Sequence, residues 1–67
     1  MTATQWHRRK DGDWYALAGG REVAWLMRVN KYPTQWWWSV PQAYESGYVK
    51  SLREAKAAAE ASIEKYG

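Results

Sequence analysis

The fold of this chain is decided by one stretch, TQWWWSV at residues 34–40. In a β-strand successive side chains point to opposite faces, so the three consecutive tryptophans cannot share one side. Trp36, Trp38 and Val40 lie on one face, and Trp37 lies on the other. If the first face packs in the core, the second presents a large ring that needs a cover or a partner. The stretch therefore predicts a sheet with one buried and one open face.

The composition predicts a small domain with a dense aromatic core. The chain has 67 residues, six tryptophans, five tyrosines and no cysteine. Each buried ring removes roughly 150–250 Å² from water, which helps a short chain to build a core without disulfides. No apolar run approaches the ~20 residues of a membrane span, and no signal-peptide pattern opens the chain. We expect a single domain over residues 1–67, in the cytoplasm and with no membrane partner.

Turn signals divide the first forty residues into four predicted strands, at 5–9, 14–18, 21–29 and 34–40. Asp-Gly at 11–12 and Gly-Gly at 19–20 are strong hairpin signals, because these residues tolerate positive φ. Residues 30–33 predict a further turn, since Pro33 lacks the amide that a central strand needs. Residues 42–50 are predicted to form a loop. The pattern indicates an antiparallel meander.

The C-terminal part of the chain predicts one helix over residues 52–65. SLRE at 51–54 is a capping box, in which the serine hydroxyl and the glutamate side chain satisfy free backbone amides. The alanine-rich segment that follows has a narrow apolar stripe at helical spacing, formed by Leu52, Ala55, Ala59 and Ile63. We expect an α+β fold, an antiparallel three- to four-stranded β-meander with the helix packed on one face.

The turns also predict how the strands pair. A two-residue Gly-Gly loop places Trp14 opposite Trp25, and the next turn places Met27 opposite Trp36. The predicted core face is then Trp14, Ala16, Val23, Trp25, Met27, Val29, Trp36, Trp38 and Val40. A register slipped by one residue would place Trp36 opposite Arg28 and disperse the apolar pattern over both faces. We reject that register.

On the open face this register predicts a contiguous patch of Tyr15, Leu26 and Trp37. One helix cannot cover both faces, so the patch is expected to be exposed. The position of the first strand stays undecided. A strict two-residue loop would place Trp6 and Arg8 on the open face, and one extra loop residue would place them on the core side.

Two functions fit these residues. The net charge is +3, and arginines beside exposed aromatic rings can bind phosphates and bases. The candidates for DNA binding through the open face are Arg8, Arg9, Arg21, Arg28, Gln35 and Trp37, with Arg28 at a phosphate and Trp37 or Gln35 at base level. The alternative is a protein partner or a homodimer, bound through Tyr15, Leu26 and Trp37.

Catalysis is not expected. His7 is the only histidine and has no cysteine or second histidine with which to bind a metal. Turn chemistry accounts for Asp11 and Asp13, and no glycine-rich phosphate loop precedes the helix. We therefore expect no enzyme activity, no cofactor, no metal site and no small-molecule substrate.

The segments WYALA, VAWLM and WWWSV, a glycine-containing loop and SLREAKAAAE together resemble small sheet-plus-helix proteins of phages and prophages. The likeness covers roughly residues 14–60. In architecture the chain is also similar to the arm-type DNA-binding domains of phage tyrosine integrases and to plant AP2-type domains. In the integrase relatives the exposed sheet face reads the major groove of DNA. The resemblance thus implies DNA-binding roles for Arg28, Gln35 and Trp37, and for Arg8 and Arg21.

Overall fold

The computed structural model describes residues 4–29 and 34–66. They form a five-stranded antiparallel sheet whose strands are neighbours in chain order: β1 (Gln5–Arg8), β2 (Trp14–Ala18), β3 (Arg21–Val29), β4 (Gln35–Val40) and β5 (Glu45–Val49). Helix α1 (Leu52–Tyr66) packs on one face of the sheet. The predicted α+β class is confirmed, with five strands rather than three to four. The turn predicted at residues 30–33 lies outside the described ranges.

The hairpin between β1 and β2 decides the side taken by the first strand. Its loop has three residues, 10–12, and Gly12 adopts the left-handed φ of 97° that such a loop requires. The extra residue turns Trp6 toward the helix, where its Nε1 donates a hydrogen bond to Glu60 Oε1 at 2.8 Å. Arg8 lies two positions further along and therefore shares the helix side.

A β-bulge in β3 changes the side-chain pattern that the sequence predicts. The Gly-Gly turn forms as expected, with positive φ at both glycines. Ala16 pairs with Ala24, whereas Leu17 pairs with Glu22, so Val23 is an extra residue on β3. A bulge of this kind moves every later residue of its strand by one position relative to the partner strand. From Ala24 onward, the faces of β3 are therefore exchanged.

The predicted register is wrong for this reason. Leu26, and not Trp25, lies opposite Trp14. In the next hairpin Arg28 lies opposite Trp36, which is the register that the sequence analysis rejects. The one-residue shift between β2 and β3 is cancelled by the one-residue shift between β3 and β4, so the side chains of β2 and β4 lie on their predicted faces. Only β3, from Ala24 onward, has its side chains on the faces opposite to those predicted. Local turn chemistry does not contain this information; the bulge places Ala24 and Leu26, and not Trp25 and Met27, on the side that the helix covers.

The centre of the core consists of small side chains. Leu26 is fully buried, and the other buried apolar residues are Ala16, Ala24, Val40, Ala43, Ala55 and Ala59. Alanines on both the sheet and the helix let the two approach closely, and partly buried tryptophans border this centre. Trp25 and Met27, which the sequence places in the core, are 39% and 45% exposed. The tryptophan rings on the helix side surround the buried residues and do not occupy the centre of the core.

β5 is a strand that the sequence analysis reads as loop. A 3₁₀ turn at Pro41–Ala43 and a left-handed Tyr44, with φ of 54°, reverse the chain after β4. Gly47 is not a turn residue, because it lies in β5 opposite Trp38. A Cβ atom at this position would lie 3.0 Å from Nε1 of that ring. Glycine at 47 thus leaves room for the indole.

The predicted helix cap is present. The Glu54 amide donates to Oγ of Ser51 at 3.2 Å, and the Glu54 carboxylate accepts from the Lys50 amide at 3.1 Å. Near the other end of α1, the buried Ser62 hydroxyl donates to the Glu45 carboxylate of β5. The cap orders the start of the helix directly after β5, and the Ser62 contact joins the second half of the helix to β5 itself.

Candidate functional site

The side of the sheet opposite the helix carries five large side chains, termed the aromatic face: Tyr15, Trp25, Met27, Trp37 and Tyr48. Tyr15 lies opposite Trp25, and a second row runs from Met27 through Trp37 to Tyr48 across three strands. The rows are adjacent because residues two apart on a strand share a face. Tyr48 is 65% exposed, and the partial exposure of Trp25 and Met27 makes the patch continuous.

Polar groups at the β1 edge hold this face in place. The His7 ring stacks on Tyr15 with ring centres 5.4 Å apart, and the guanidinium of Arg9 lies 4.4 Å from the centre of the same ring. Glu22 forms an ion pair with Arg9 and accepts a hydrogen bond of 3.1 Å from Nε1 of Trp25. One carboxylate therefore neutralises the cation and orients the indole beside it.

A shallow depression lies within the aromatic face, with a volume of about 230 Å³. Its lining includes Arg9, Trp25, Met27 and Trp37. Small-molecule sites usually measure ~300–1,000 Å³, so this depression is small for a substrate or cofactor. Its size and its aromatic walls suit one side chain of a protein partner.

The helix side of the sheet carries a second candidate area, termed the arginine corner and formed by Arg8, Arg28, Trp14 and Trp36. In the strand register Arg8 lies opposite Trp14, and Arg28 lies opposite Trp36. Helix α1 begins beside this end of the sheet and does not cover it, which leaves a cavity of about 440 Å³. The ammonium of Lys56, on the first part of the helix, lies 3.9 Å from the centre of a Trp14 ring.

The charges of the arginine corner are mixed. Neither Arg8 nor Arg28 forms an ion pair with any residue in the ranges 4–29 and 34–66. Asp11 and Asp13 lie at the rim of the cavity, in and beside the β1–β2 loop. Oδ1 of Asp11 accepts a hydrogen bond of 3.0 Å from the Asp13 amide, which makes this carboxylate part of the turn.

The residues predicted for nucleic-acid binding are divided among three places. Two lie in the arginine corner, Arg8 and Arg28. Three lie on the open side of the sheet, Arg9, Gln35 and Trp37. Arg21 begins β3 at the Gly-Gly turn, seven residues and roughly 23 Å from Arg28 at the usual strand rise. The fold does not bring these residues to one surface.

The predicted protein-binding patch must also be redrawn. Tyr15 and Trp37 lie on the open side as expected, but Leu26 is fully buried under the helix. The bulge replaces it with Trp25 and Met27, which no local signal in the sequence places outside. Tyr48 is absent from the predicted patch because the sequence predicts a loop over residues 42–50, where the structure has β5. The segment ESGYV has no apolar/polar alternation, and its one strand signal is the pair Tyr48 and Val49, which are residue types enriched in strands.

The described part of the chain offers no metal-binding cluster, since no three His, Cys, Asp or Glu side chains meet there. Every buried side-chain nitrogen or oxygen in that part has a hydrogen-bond partner. The buried Ser62, for example, is used in the contact between helix and sheet. The absence of enzyme activity stays a prediction.

Within residues 4–29 and 34–66, no helix combines the length and the apolar character needed to cross a membrane. The resemblance to phage sheet-plus-helix proteins stays a prediction. Comparisons of the chain with protein-family models, with curated protein sequences and with solved structures find no match.

Proposed function

We propose that this domain is a non-enzymatic interaction module that pairs with a second copy of itself through the aromatic face. The observation that carries the proposal is the concentration of large, exposed apolar side chains on one side of the sheet. Continuous exposed patches of this kind mark interaction surfaces in soluble proteins. Tryptophan, tyrosine and methionine are also the residue types enriched where proteins meet.

The size of the open face fits a small but specific interface. Five strands at the usual spacing span about 24 Å, and strands of four to nine residues are about 13–30 Å long. The face therefore covers roughly 500 Å², so two faces together bury roughly 1,000 Å², near the lower limit for specific interfaces. Two such sheets would stack about 10 Å apart, as in a β-sandwich.

The charges of the face permit a copy to meet itself. Arg9 is the one arginine or lysine among the placed residues around the aromatic rings, and Glu22 already neutralises it. Two faces of this composition do not repel each other, although each chain has a net charge of +3. The remaining basic residues that are described lie at the turns, on the helix and on the helix side of the sheet.

The order of the strands makes the face self-complementary. In a pair related by a two-fold axis along the central strand β3, β5 of one copy lies above β1 of the other. The projecting ring of Tyr48 then lies above Arg9, beside the depression of about 230 Å³. Met27 lies near the axis, where it meets its own copy. Each copy thus supplies both a ring and a receiving depression.

Sedimentation velocity from micromolar to near-millimolar protein tests the proposal. We expect a concentration-dependent dimer for the natural chain and a monomer for Met27→Lys, because the substitution places two ammonium groups at the axis. Like charges brought together in an interface cost several kcal/mol. Met27 is partly exposed, so the lysine variant should fold, and its circular dichroism and melting temperature check this.

Tyr44→Asn is the matched control. Tyr44 is 97% exposed but lies in the turn before β5, and asparagine tolerates its left-handed backbone. This variant should dimerise like the natural chain. A natural chain that stays monomeric near millimolar concentration would contradict the proposal and favour a different protein as the occupant of the face. Equal dimerisation of Met27→Lys would place the contact elsewhere.

DNA binding through the same face, which the resemblance implies, has less support. A protein surface that binds DNA needs its arginines and lysines close together. Arg8 and Arg28 lie on the other side of the sheet from Trp37. The cation that does lie on the aromatic face is paired with Glu22. Self-association is therefore the better-supported function for this surface.

A further inference from the structure

We infer that the arginine corner binds a nucleotide unit of single-stranded nucleic acid, with its phosphate at Arg8 and Arg28 and its base against an indole ring. This site lies on the side of the sheet opposite the aromatic face. It is independent of self-association, because pairing through the aromatic face leaves both corners of a dimer exposed. Four residues carry it: Arg8, Arg28, Trp14 and Trp36.

The two arginines supply the anion site. Both are exposed, both line the same cavity, and neither has an ion-pair partner among the residues that the structure places. A guanidinium has a planar set of donors that matches two phosphate oxygens at once. Arg8 on β1 and Arg28 on β3 lie on either side of β2 and line one cavity, so the two groups can hold one phosphate between them. Arg9, by contrast, lacks this freedom because it forms an ion pair with Glu22.

The indoles supply a surface for the base. Trp14 and Trp36 are half-buried and line the cavity, and a nucleic-acid base gains affinity by stacking on an aromatic ring of this kind. Lys56 lies against a Trp14 ring and adds a further positive charge beside the cavity. Gly12, also in the lining, has no side chain to close the space.

The shape of the site favours a single strand over a duplex. The cavity of about 440 Å³ is of the size that holds one small planar group. Bases in a duplex are stacked on each other and cannot enter such a cavity, whereas bases in a single strand can turn outward. An acidic peptide offers the charge without the planar ring and would leave the indoles unused.

The two rim carboxylates oppose this ligand and provide a test. Asp11 is held in the turn by the hydrogen bond that its Oδ1 accepts from the Asp13 amide. Asp11→Asn keeps that acceptor oxygen and removes the charge. We therefore expect Asp11→Asn to bind nucleic acid several-fold more tightly than the natural chain, with no loss of the turn.

Fluorescence anisotropy of an end-labelled oligo-dT strand, titrated with the full chain at several salt concentrations, measures the binding. Each phosphate contact contributes about −0.7 to the slope of log affinity against log salt for a single strand. We expect Arg28→Gln and Arg8→Gln each to weaken binding roughly tenfold at low salt and to flatten this slope by about 0.7. Melting temperatures should not change, since both side chains are exposed and unpaired.

Arg21→Gln is the matched control, because it removes the same charge at the far end of β3. It should bind like the natural chain. Equal losses from Arg21→Gln and Arg28→Gln would overturn the inference, since binding would then reflect net charge alone. Failure to bind the oligonucleotide at low salt would also overturn it.

Three further ligands identify what the site recognises. Adenosine monophosphate should shift the indole N–H signals of Trp14 and Trp36 in NMR spectra, and inorganic phosphate should shift the Arg8 and Arg28 signals alone. An oligoglutamate peptide should compete weakly. If the peptide binds as tightly as the oligonucleotide, the corner is an acidic-peptide site and the inference is wrong.

Discussion

The two faces of this sheet place side chains of opposite size at their centres. Under the helix lie Ala16, Ala24 and Leu26, whereas the open side presents Trp25 and Met27. In β3 the large Trp25 is therefore outside and the small Ala24 inside, while Leu26 and Met27 are of similar size. An alanine-rich helix can approach a sheet closely only where the sheet side chains are small, so the requirement of close packing decides which face is buried.

The largest predicted difference in stability is between alanine substitutions at two neighbouring residues of β3 that lie on opposite faces of the sheet. Leu26→Ala should lower the free energy of unfolding by about 2–5 kcal/mol, because it leaves a cavity at a fully buried position. Trp25→Ala should cost about 1 kcal/mol, since the ring is partly exposed. Urea denaturation followed by circular dichroism measures both. A larger cost for Trp25→Ala would mean that the face assignment is inverted.

The close packing between helix and sheet can be tested by a substitution that adds side-chain volume at their contact. Ala59→Leu should destabilise the domain by about 1–3 kcal/mol, because no space exists at the alanine contact between helix and sheet. Ala61→Leu, on the exposed side of the same helix, should change stability by less than about 0.5 kcal/mol. Thermal unfolding of the two variants gives the comparison. Equal effects would show that the helix does not pack as closely as described.

The helix cap gives a smaller effect on the same side. Ser51→Ala should cost about 1 kcal/mol, because the Glu54 amide loses its hydrogen-bond acceptor. Ser46→Ala, at an exposed position of β5, is the control and should cost less than half as much. The same unfolding measurement applies. No difference between the two would indicate that the cap contributes little.

The smallest effect on stability, and a clear effect on pairing, is expected on the open side. Glu22→Gln should change stability by less than about 1 kcal/mol, because the ion pair with Arg9 is largely exposed. The unpaired Arg9 then gives each face a net positive charge. Dimerisation should weaken and should recover in high salt, whereas the natural dimer should respond little to salt. Sedimentation at two salt concentrations decides this.

Much of the fold could be predicted from local patterns. The glycine turns, the capping box at Ser51 and the alanine stripe of the helix each have a signal within a few residues, and the α+β class follows from them. The register of β3 could not be predicted, because the extra residue at Val23 has no local signal, and the side chains that it turns inward face a helix that begins about thirty residues later. Patterns within one strand do not carry this information.

The surfaces were predicted less well than the fold for the same reason. The predicted register places Tyr15 and Trp37 correctly on the open side, because its two one-residue errors cancel in β2 and β4. It places Trp25 and Met27 in the core and Leu26 on the surface, because the errors do not cancel in β3. Arg28 changes sides with β3. The bulge thus separates Arg28 from Gln35 and Trp37, which stay on the open side.

The six indole N–H groups offer the most direct test of the central claim, that the open face is where two copies meet. They are to be followed by NMR in a dilution series of the natural chain. Trp25 and Trp37 lie on the open side, and the other four, Trp6, Trp14, Trp36 and Trp38, pack on the helix side. The account predicts concentration-dependent shifts for the first two and constant shifts for the other four. Constant shifts for all six, or shifts confined to the helix-side group, would contradict it.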